Sequence, residues 1–488
     1  MPQETEVLDV AIIGAGFAGL CMAAQLRRAG KQNFTILERS GQIGGTWRDN
    51  TYPGCACDIP SLLYSYSFAP KFRWSRIYPL QDEIWRYLGQ FVETFDLQRH
   101  LQFSSDVRIA SYREKEALWQ IECRDGRVLK SRMLVLGMGG LNRPNIPKLP
   151  GAETFRGFSF HSSFWDHGVD AYNKRIAVIG TGASAIQIVP ELARIASSLT
   201  VFQRTAAWIV SKADRALLSS EIEIRSQNPL VQRLRRWKIY WQQELLAFGF
   251  TLAPRLMKRA EKAALDHMKK VITSEDLQKK LTPNYPMGCK RILISNDFYP
   301  ALLNRNVTLD AHEVVALDAS GVITAEGRHV EVDGIIYATG FRSMEMLGDT
   351  TVIGRDGKSL KEAWRERALA HLGIMVHGFP NLFLLVGPNT GLGHNSIVFM
   401  IEAQVNYVMK ALKKMERRLA TSIEIREEVQ EKFAHFVKRR LARTVWSRGC
   451  RSWYLDARGQ NFALWPGFSV EYWLRTRILP AWHFVFAK

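Results

Sequence analysis

The 488-residue sequence predicts an α/β fold of two Rossmann-like dinucleotide-binding domains, with a helical insertion in the second. Three observations carry this. An apolar strand runs straight into a G-x-G-x-x-G turn at residues 10–19, and the pattern returns as G-x-G-x-x-A at residues 176–185. Two more strand-to-glycine runs, Leu136-Gly137-Met138-Gly139-Gly140 and Asp333 to Phe341, mark where a chain can cross from one nucleotide domain to the other. The length allows two or three domains, each with a core of its own.

The first strand, Val10-Ala11-Ile12-Ile13, leads into Gly14-Ala15-Gly16-Phe17-Ala18-Gly19, and the following helix is expected to stop at Gly30. Gly14 permits the turn, Gly16 lets the backbone approach a pyrophosphate, and Gly19 lets helix and strand pack. The helix N-terminus then faces the negative charge. The next strand, Phe34 to Leu37, ends on Glu38, where a dinucleotide's ribose hydroxyl is expected.

In the second unit Ile176 to Ile179 leads into Gly180-Thr181-Gly182-Ala183-Ser184-Ala185, with Gly180, Gly182 and Ser184 expected at the cofactor. Its second strand, Leu199 to Phe202, ends on Gln203-Arg204-Thr205 rather than on an acid. An acid would repel a 2′-phosphate and Arg204 can pair with it, so this site points to NADPH over NADH. Two dinucleotide sites mean two redox cofactors, FAD in the first and NADPH in the second. The expected layout is an FAD domain from 1–145 and 381–488, an NADPH domain from 150–213 and 288–375, and a helical insertion at 214–287 covering a substrate cavity between them.

Net charge is +19, and residues 231–280 and 410–451 carry +7 and +8 of it. A nucleic-acid partner would show a recognised module there, and no zinc-finger spacing, RRM motif or basic zipper occurs. Both stretches read as amphipathic helices, as in Val405, Val408, Leu412, Met415 and Leu419 with Lys410, Lys413, Lys414, Arg417 and Arg418 opposite. The six cysteines show no paired framework, which fits a reducing, cytoplasmic setting. No secretory leader follows the acidic start Pro2 to Glu6, and no apolar run reaches membrane-span length, so membrane contact is expected to be at most weak and peripheral. The histidines lack metal-ligand spacing, so no metal is expected. His394 has no partner acid at a recognisable spacing, and His161 reads as a structural residue between domains.

The pattern F-x-G-x-x-x-H-x-x-x-W-[PD] is met by Phe155, Gly157, His161, Trp165 and Asp166. A second, [AG]-G-x-W followed by [FY]-P-[GM]-x-x-x-D, is met by Gly44, Gly45, Trp47, Tyr52, Pro53, Gly54 and Asp58, and Pro286-Met287-Gly288-Cys289-Lys290-Arg291 follows P-x-G-x-K-R. On these motifs, over nearly its whole length, the chain resembles the type I Baeyer-Villiger monooxygenases of the class B flavoprotein monooxygenase family. The resemblance implies that NADPH reduces FAD, that dioxygen gives a peroxyflavin, and that one oxygen atom enters beside a ketone carbonyl to form an ester or lactone, with sulfoxidation as a side activity. It implies that Arg291 stabilises the anionic peroxide and that Asp58 orients Arg291. Lys290 would join Arg204 and Thr205 at the 2′-phosphate, while Gly45, Thr46, Trp47 and Thr339 would contact cofactor. The Gly387 to Ser396 loop would face the flavin, and Trp453 in a mobile C-terminal segment would meet the nicotinamide nucleotide.

Two departures qualify this. Leu455 to Gln460 separate the Trp453-Tyr454 pair from Asn461, as in the branch of hydroxyacetophenone monooxygenases, and Met138 stands where a Thr is common. The rivals are a flavin enzyme oxygenating nitrogen or sulfur, a flavin disulfide reductase using Cys55-Ala56-Cys57, and a flavin-binding protein without turnover. A small ketone and dioxygen are the expected partners, with the chain a monomer or dimer.

Overall fold

The computed structural model describes residues 6–70, 72–447, 449–450 and 452–488, and the acidic start up to Thr5 lies outside them. β1 (Val7–Ile13) is apolar because it becomes an inner strand with cover on both faces. α1 (Phe17–Arg28) and β2 (Phe34–Leu37) complete the first βαβ unit, followed by α2 (Thr46–Asp49), α3 (Gln81–Thr94) and β3 (Leu101–Gln102). An antiparallel meander of β4 (Val107–Arg113), β5 (Leu118–Cys123) and β6 (Val128–Leu136) then brings β6 parallel to β1, with Leu136 opposite Ile13. That register delivers Gly137 beside the glycine turn, where a Cβ on Gly137 would stand 2.9 Å from the Gly19 nitrogen.

The second domain opens with β7 (Phe158–His161), β8 (Arg175–Ile179), α4 (Ala185–Leu192) and β9 (Ser198–Phe202). The two short strands β10 (Ile209–Val210) and β11 (Leu293–Ile294) pair in parallel and close the neck of the insertion, which consists of α5 (Ser219–Gln227), α6 (Pro229–Thr251), α7 (Met257–Lys269) and α8 (Glu275–Leu281). After α9 (Phe298–Ala301) come β12 (Val307–Asp310), a small antiparallel sheet of β13 (Val314–Leu317), β14 (Gly321–Thr324) and β15 (His329–Glu331), and β16 (Gly334–Tyr337). The main sheet runs β12-β9-β8-β16-β7, all parallel. The family pattern around Phe158 and His161 is thus an edge strand of this sheet.

Next in the chain, β17 (Thr351–Ile353) pairs with β4 of the first sheet. The return to the first domain is therefore complete by Thr351, earlier than the boundary at 375–381 expected from sequence. The crossing at Asp333 to Phe341 is the point of return, and a three-residue edge strand has too little periodicity to announce itself. After α10 (Leu360–Ala363), β18 (Leu382–Leu384) adds to β6. α11 (Ile397–Arg418), β19 (Ser422–Ile425), α12 (Glu427–Leu441), α13 (Ser469–Arg477) and β20 (Phe484–Ala487) finish the chain, with α11 lying against α1 and α13.

The basic face of α11 has a structural use. Lys410 donates to the Arg477 carbonyl at 2.9 Å and Lys414 to that of Leu479, so cations sit at the C-terminal end of α13. Val405, Val408, Leu412 and Met415 are buried as expected, whereas Leu419 is the left-handed cap after the last turn and is exposed.

Candidate active site

Two glycine turns face each other in the first domain. Gly14 has φ +101°, and a Cβ there would lie 2.7 Å from the Gly137 carbonyl oxygen; one on Gly19 would lie 1.9 Å from that of Gly14. Neither position tolerates a side chain. Gly16 caps α1, and a Cβ on Gly45, at φ +52°, would come within 3.5 Å of the Gly16 Cα. The cradle between the turns is therefore bare backbone at a helix N-terminus, which fits the pyrophosphate of FAD. Buried Glu38 buttresses it by accepting from the Ala15 N–H (2.8 Å), the Ser40 N–H (3.0 Å) and Arg48 (2.9 Å). Thr46 opens α2 and is exposed, while Trp47 is buried with its indole N–H donating to the Tyr64 hydroxyl at 3.1 Å.

In the second domain Gly180 has φ +114° and packs against the Ala338 carbonyl, where a Cβ would stand at 2.5 Å. Gly182 has open space where its Cβ would be, and Ser184 directly precedes α4. Arg204 is 78% exposed with a long 3.4 Å contact to Glu313, and Thr181 donates to the Thr205 carbonyl at 3.2 Å. Lys290 sits over the Tyr285 ring at 4.6 Å; burial and the charge of Arg204 both lower its pKa. Two cations held in each other's field suit an anion such as a phosphate. Thr339 ties the two crossings together by donating to the Asn145 carbonyl at 2.6 Å. The C-terminal segment reaches this domain too, since Ser343 donates to the carbonyl of Trp453 at 2.9 Å. His161 ends β7 buried, its Nδ1 2.9 Å from Ser163, and burial lowers its pKa to about 4, in keeping with a neutral structural role.

Asp58 and Arg291 meet as expected. Arg291 Nε and Nη2 lie 2.7 and 2.5 Å from Asp58 Oδ2, and Nη1 points at the Leu392 carbonyl, 3.5 Å away, in the loop expected to face the flavin. The Asp58 charge raises the Arg291 pKa above its already high value. Buried Tyr454 lies beside this pair, and burial pushes its hydroxyl up to about 12, so it stays neutral. Pairing of β10 with β11 just beyond Arg291 fixes where the Lys290-Arg291 step leaves the chain.

The expectation of unpaired cysteines is corrected. Cys289 and Cys450 form a disulfide, linking the residue before Lys290 to the stretch leading into Trp453. Partners 161 positions apart leave no local spacing to read, which is why sequence missed them. Closing so long a loop stabilises by about 5 kcal/mol in the chain-entropy account. Thiol titration of denatured, unreduced protein should therefore find four free thiols, rising to six after reduction; six from the outset would contradict the pairing.

A second group also escaped sequence reading. Glu244 of α6, fully buried, accepts from Asn395 (2.9 Å), Ser469 (2.6 Å) and the Val470 N–H (2.9 Å), and lies 3.5 Å from His394 Nε2. His394 therefore does have an acid partner, supplied by the insertion, and the buried polar face of α6 was the available signal. Burial alone raises the Glu244 carboxyl, but the nearby His394 ring and the hydrogen bonds from Ser469 and Val470 outweigh it and leave the pKa lowered. Its stabilising contribution is thus present above the unfolded carboxylate pKa and is lost as pH falls through the depressed folded value. Glu244→Ala strands four buried partners and should cost about 3 kcal/mol, read as a lower unfolding midpoint of the FAD-loaded protein near neutral pH. An unchanged midpoint would show that the group bears no load.

Two glycine turns at helix N-termini, with Arg291 of the second domain paired to Asp58 of the first, fit an FAD- and NADPH-binding oxidoreductase. Residues 11–245 match the family of pyridine nucleotide-disulphide oxidoreductases. A Baeyer-Villiger monooxygenase of Pseudomonas aeruginosa is 45% identical over 478 residues, covering 98% of this chain and 91% of the relative, and one of Streptomyces coelicolor is 42% identical over 477 residues, covering 97% and 92%. Among solved structures, an oxidized steroid monooxygenase bound to NADP superposes with a TM-score of 0.89 at 28% identity, and a closed cyclohexanone monooxygenase with 0.89 at 25%, each covering 99% of this chain and 100% of the other. The chain belongs to the type I Baeyer-Villiger family of class B flavoprotein monooxygenases.

Proposed function

We propose that the protein uses NADPH and dioxygen to insert one oxygen atom beside the carbonyl of a ketone, giving an ester or lactone. The observation that carries this is Arg291, a permanently charged group of the second domain pinned by Asp58 of the first. Bound FAD supplies the oxygen-activating redox chemistry, and the cradle at Gly14, Gly16 and Gly45 has the shape to hold it. Arg204 and Lys290 would hold the 2′-phosphate of bound NADPH. Arg291 then holds negative charge that develops during oxygen transfer, a task in which Arg stays protonated where a buried Lys would not. Phe250 of α6, stacked on Trp446 at 6.0 Å, packs on Gly288, so α6 lies against the segment that carries Lys290 and Arg291.

Cys55 and Cys57 argue against a disulfide-reductase reading. Both are buried free thiols, and burial raises the pKa of each, that of Cys55 to about 12, so neither offers a thiolate at neutral pH. The Leu455 to Gln460 stretch supports an aryl ketone as the preferred substrate. The test is NADPH-dependent ester formation across cyclic, linear and aryl ketones, with a thioether alongside. Ester from at least one ketone is expected, best from the aryl members; oxidation of the thioether alone would favour a sulfur-oxygenating enzyme.

A further inference from the structure

α6 is built inside out. Its inward face is largely polar up to Glu244, before Ala247 and Phe250 join the core: Gln232 donates to the Pro70 carbonyl (2.6 Å), Arg236 to the carbonyls of Leu62 and Ser65 (2.8 Å to the latter), Tyr240 meets Ser469 (3.0 Å), and Glu244 holds the buried cluster described above. Its outward face is apolar. Leu230, Leu234, Trp237, Trp241, Leu245 and Leu252 recur at helical steps of three, four and seven, and are 38–69% exposed. Water favours the reverse arrangement, and a continuous apolar stripe of this size on a helix marks a surface meant to be covered.

The charge around the stripe says by what. Arg233 and Lys238 on α6, and Arg255, Lys258 and Arg259 just beyond it, are exposed, and among the described residues none has an acidic partner. Residues 231–280 carry +7 in all. A second copy packed face to face would bring two such rims together, which like charges oppose. An apolar stripe with large Trp and Leu side chains, flanked by Lys and Arg, instead complements a bilayer with acidic headgroups, where the apolar side chains enter the interface and the cations meet phosphate. The helix spans about 34 Å at 1.5 Å per residue, and it would lie flat, because no helix among the described residues is long and apolar enough to cross a membrane.

We propose that α6 docks the enzyme peripherally on an anionic phospholipid surface. The same helix reaches inward, with Phe250 against Trp446 and Glu244 beside His394, so docking brings the segment around Gly288 to Arg291 near the bilayer. This holds whichever substrate the flavin site oxygenates, and its test is separate.

The FAD-loaded protein would be sedimented with vesicles of phosphatidylcholine mixed with phosphatidylglycerol, and with phosphatidylcholine alone. The mixed vesicles should carry the protein down at low salt, added salt should release it, and phosphatidylcholine alone should retain little. The pair Leu234→Gln and Leu245→Gln, both on the exposed stripe, should weaken partition about tenfold while NADPH oxidation in air stays unchanged. Wild-type protein left in the supernatant with mixed vesicles at low salt overturns the proposal, as does equal binding by the substituted protein. A wild-type dimer that the substitutions convert to monomer would overturn it in favour of a second copy.

Discussion

Arg291→Ala is expected to retain bound FAD and lose ester formation by a factor of about 100 to 1000 in kcat, the usual cost of deleting a fixed group aimed at developing negative charge. The FAD cradle is backbone at Gly14, Gly16 and Gly45, and Arg291 contributes no atom to it, so flavin absorbance of the purified variant should be near that of wild type. Asp58 would be left without its cation, and Asp58→Asn should show a smaller loss by letting Arg291 drift from the position its two contacts define. Arg291→Lys should not rescue fully, because an ammonium cannot address Asp58 and the Leu392 carbonyl with a planar fork. Ester formation at the wild-type rate in Arg291→Ala would remove Arg291 from the mechanism.

The second large effect is on cofactor choice. Removing both Arg204 and Lys290 as alanines should raise KM for NADPH about 100-fold, since each charge-assisted hydrogen bond to phosphate is worth about 1.5–3 kcal/mol and a tenfold change needs about 1.4. The KM for NADH should move little, because NADH has no 2′-phosphate to lose. Steady-state rates with each nucleotide decide the matter. An unchanged ratio between them would place the 2′-phosphate elsewhere. Thr205 accepts from Thr181 through its backbone carbonyl, which Thr205→Ala keeps, so that substitution should have a milder effect than loss of the two cations.

What could be read from sequence was local. Gly14 and Gly180 announce themselves because the left-handed backbone they adopt is denied to most other residues, Gly19 because helix and turn approach too closely for a side chain, and each proves to abut a carbonyl oxygen where a Cβ would clash. Asp58 and Arg291 were legible only through their family motifs, yet the structure brings them to 2.7 Å. What stayed hidden is long-range. Glu244 sits in a helix whose sequence looks like a solvated charged segment, and only tertiary packing shows that its polar side faces inward and its leucines face out. Cys289 and Cys450 are too far apart for spacing to link them. The early return of the chain at β17 escaped because three residues of edge strand carry almost no pattern.

The same division explains the charge. Residues 410–451 include Lys410 and Lys414, which serve the end of α13, and Arg236 of α6 is used inward, whereas the exposed Arg233, Lys238, Arg255, Lys258 and Arg259 have no such internal use among the described residues. The cations proposed to act on cofactor and oxygen transfer, Arg204, Lys290 and Arg291, lie outside both basic stretches.

The central claim, that this site transfers one atom of dioxygen to a ketone, is tested most directly with isotopically labelled dioxygen. A turned-over aryl ketone should yield an ester carrying a single labelled oxygen, with one NADPH consumed per ester formed. Consumption of NADPH that gives only hydrogen peroxide, with every ketone recovered unchanged, would contradict it.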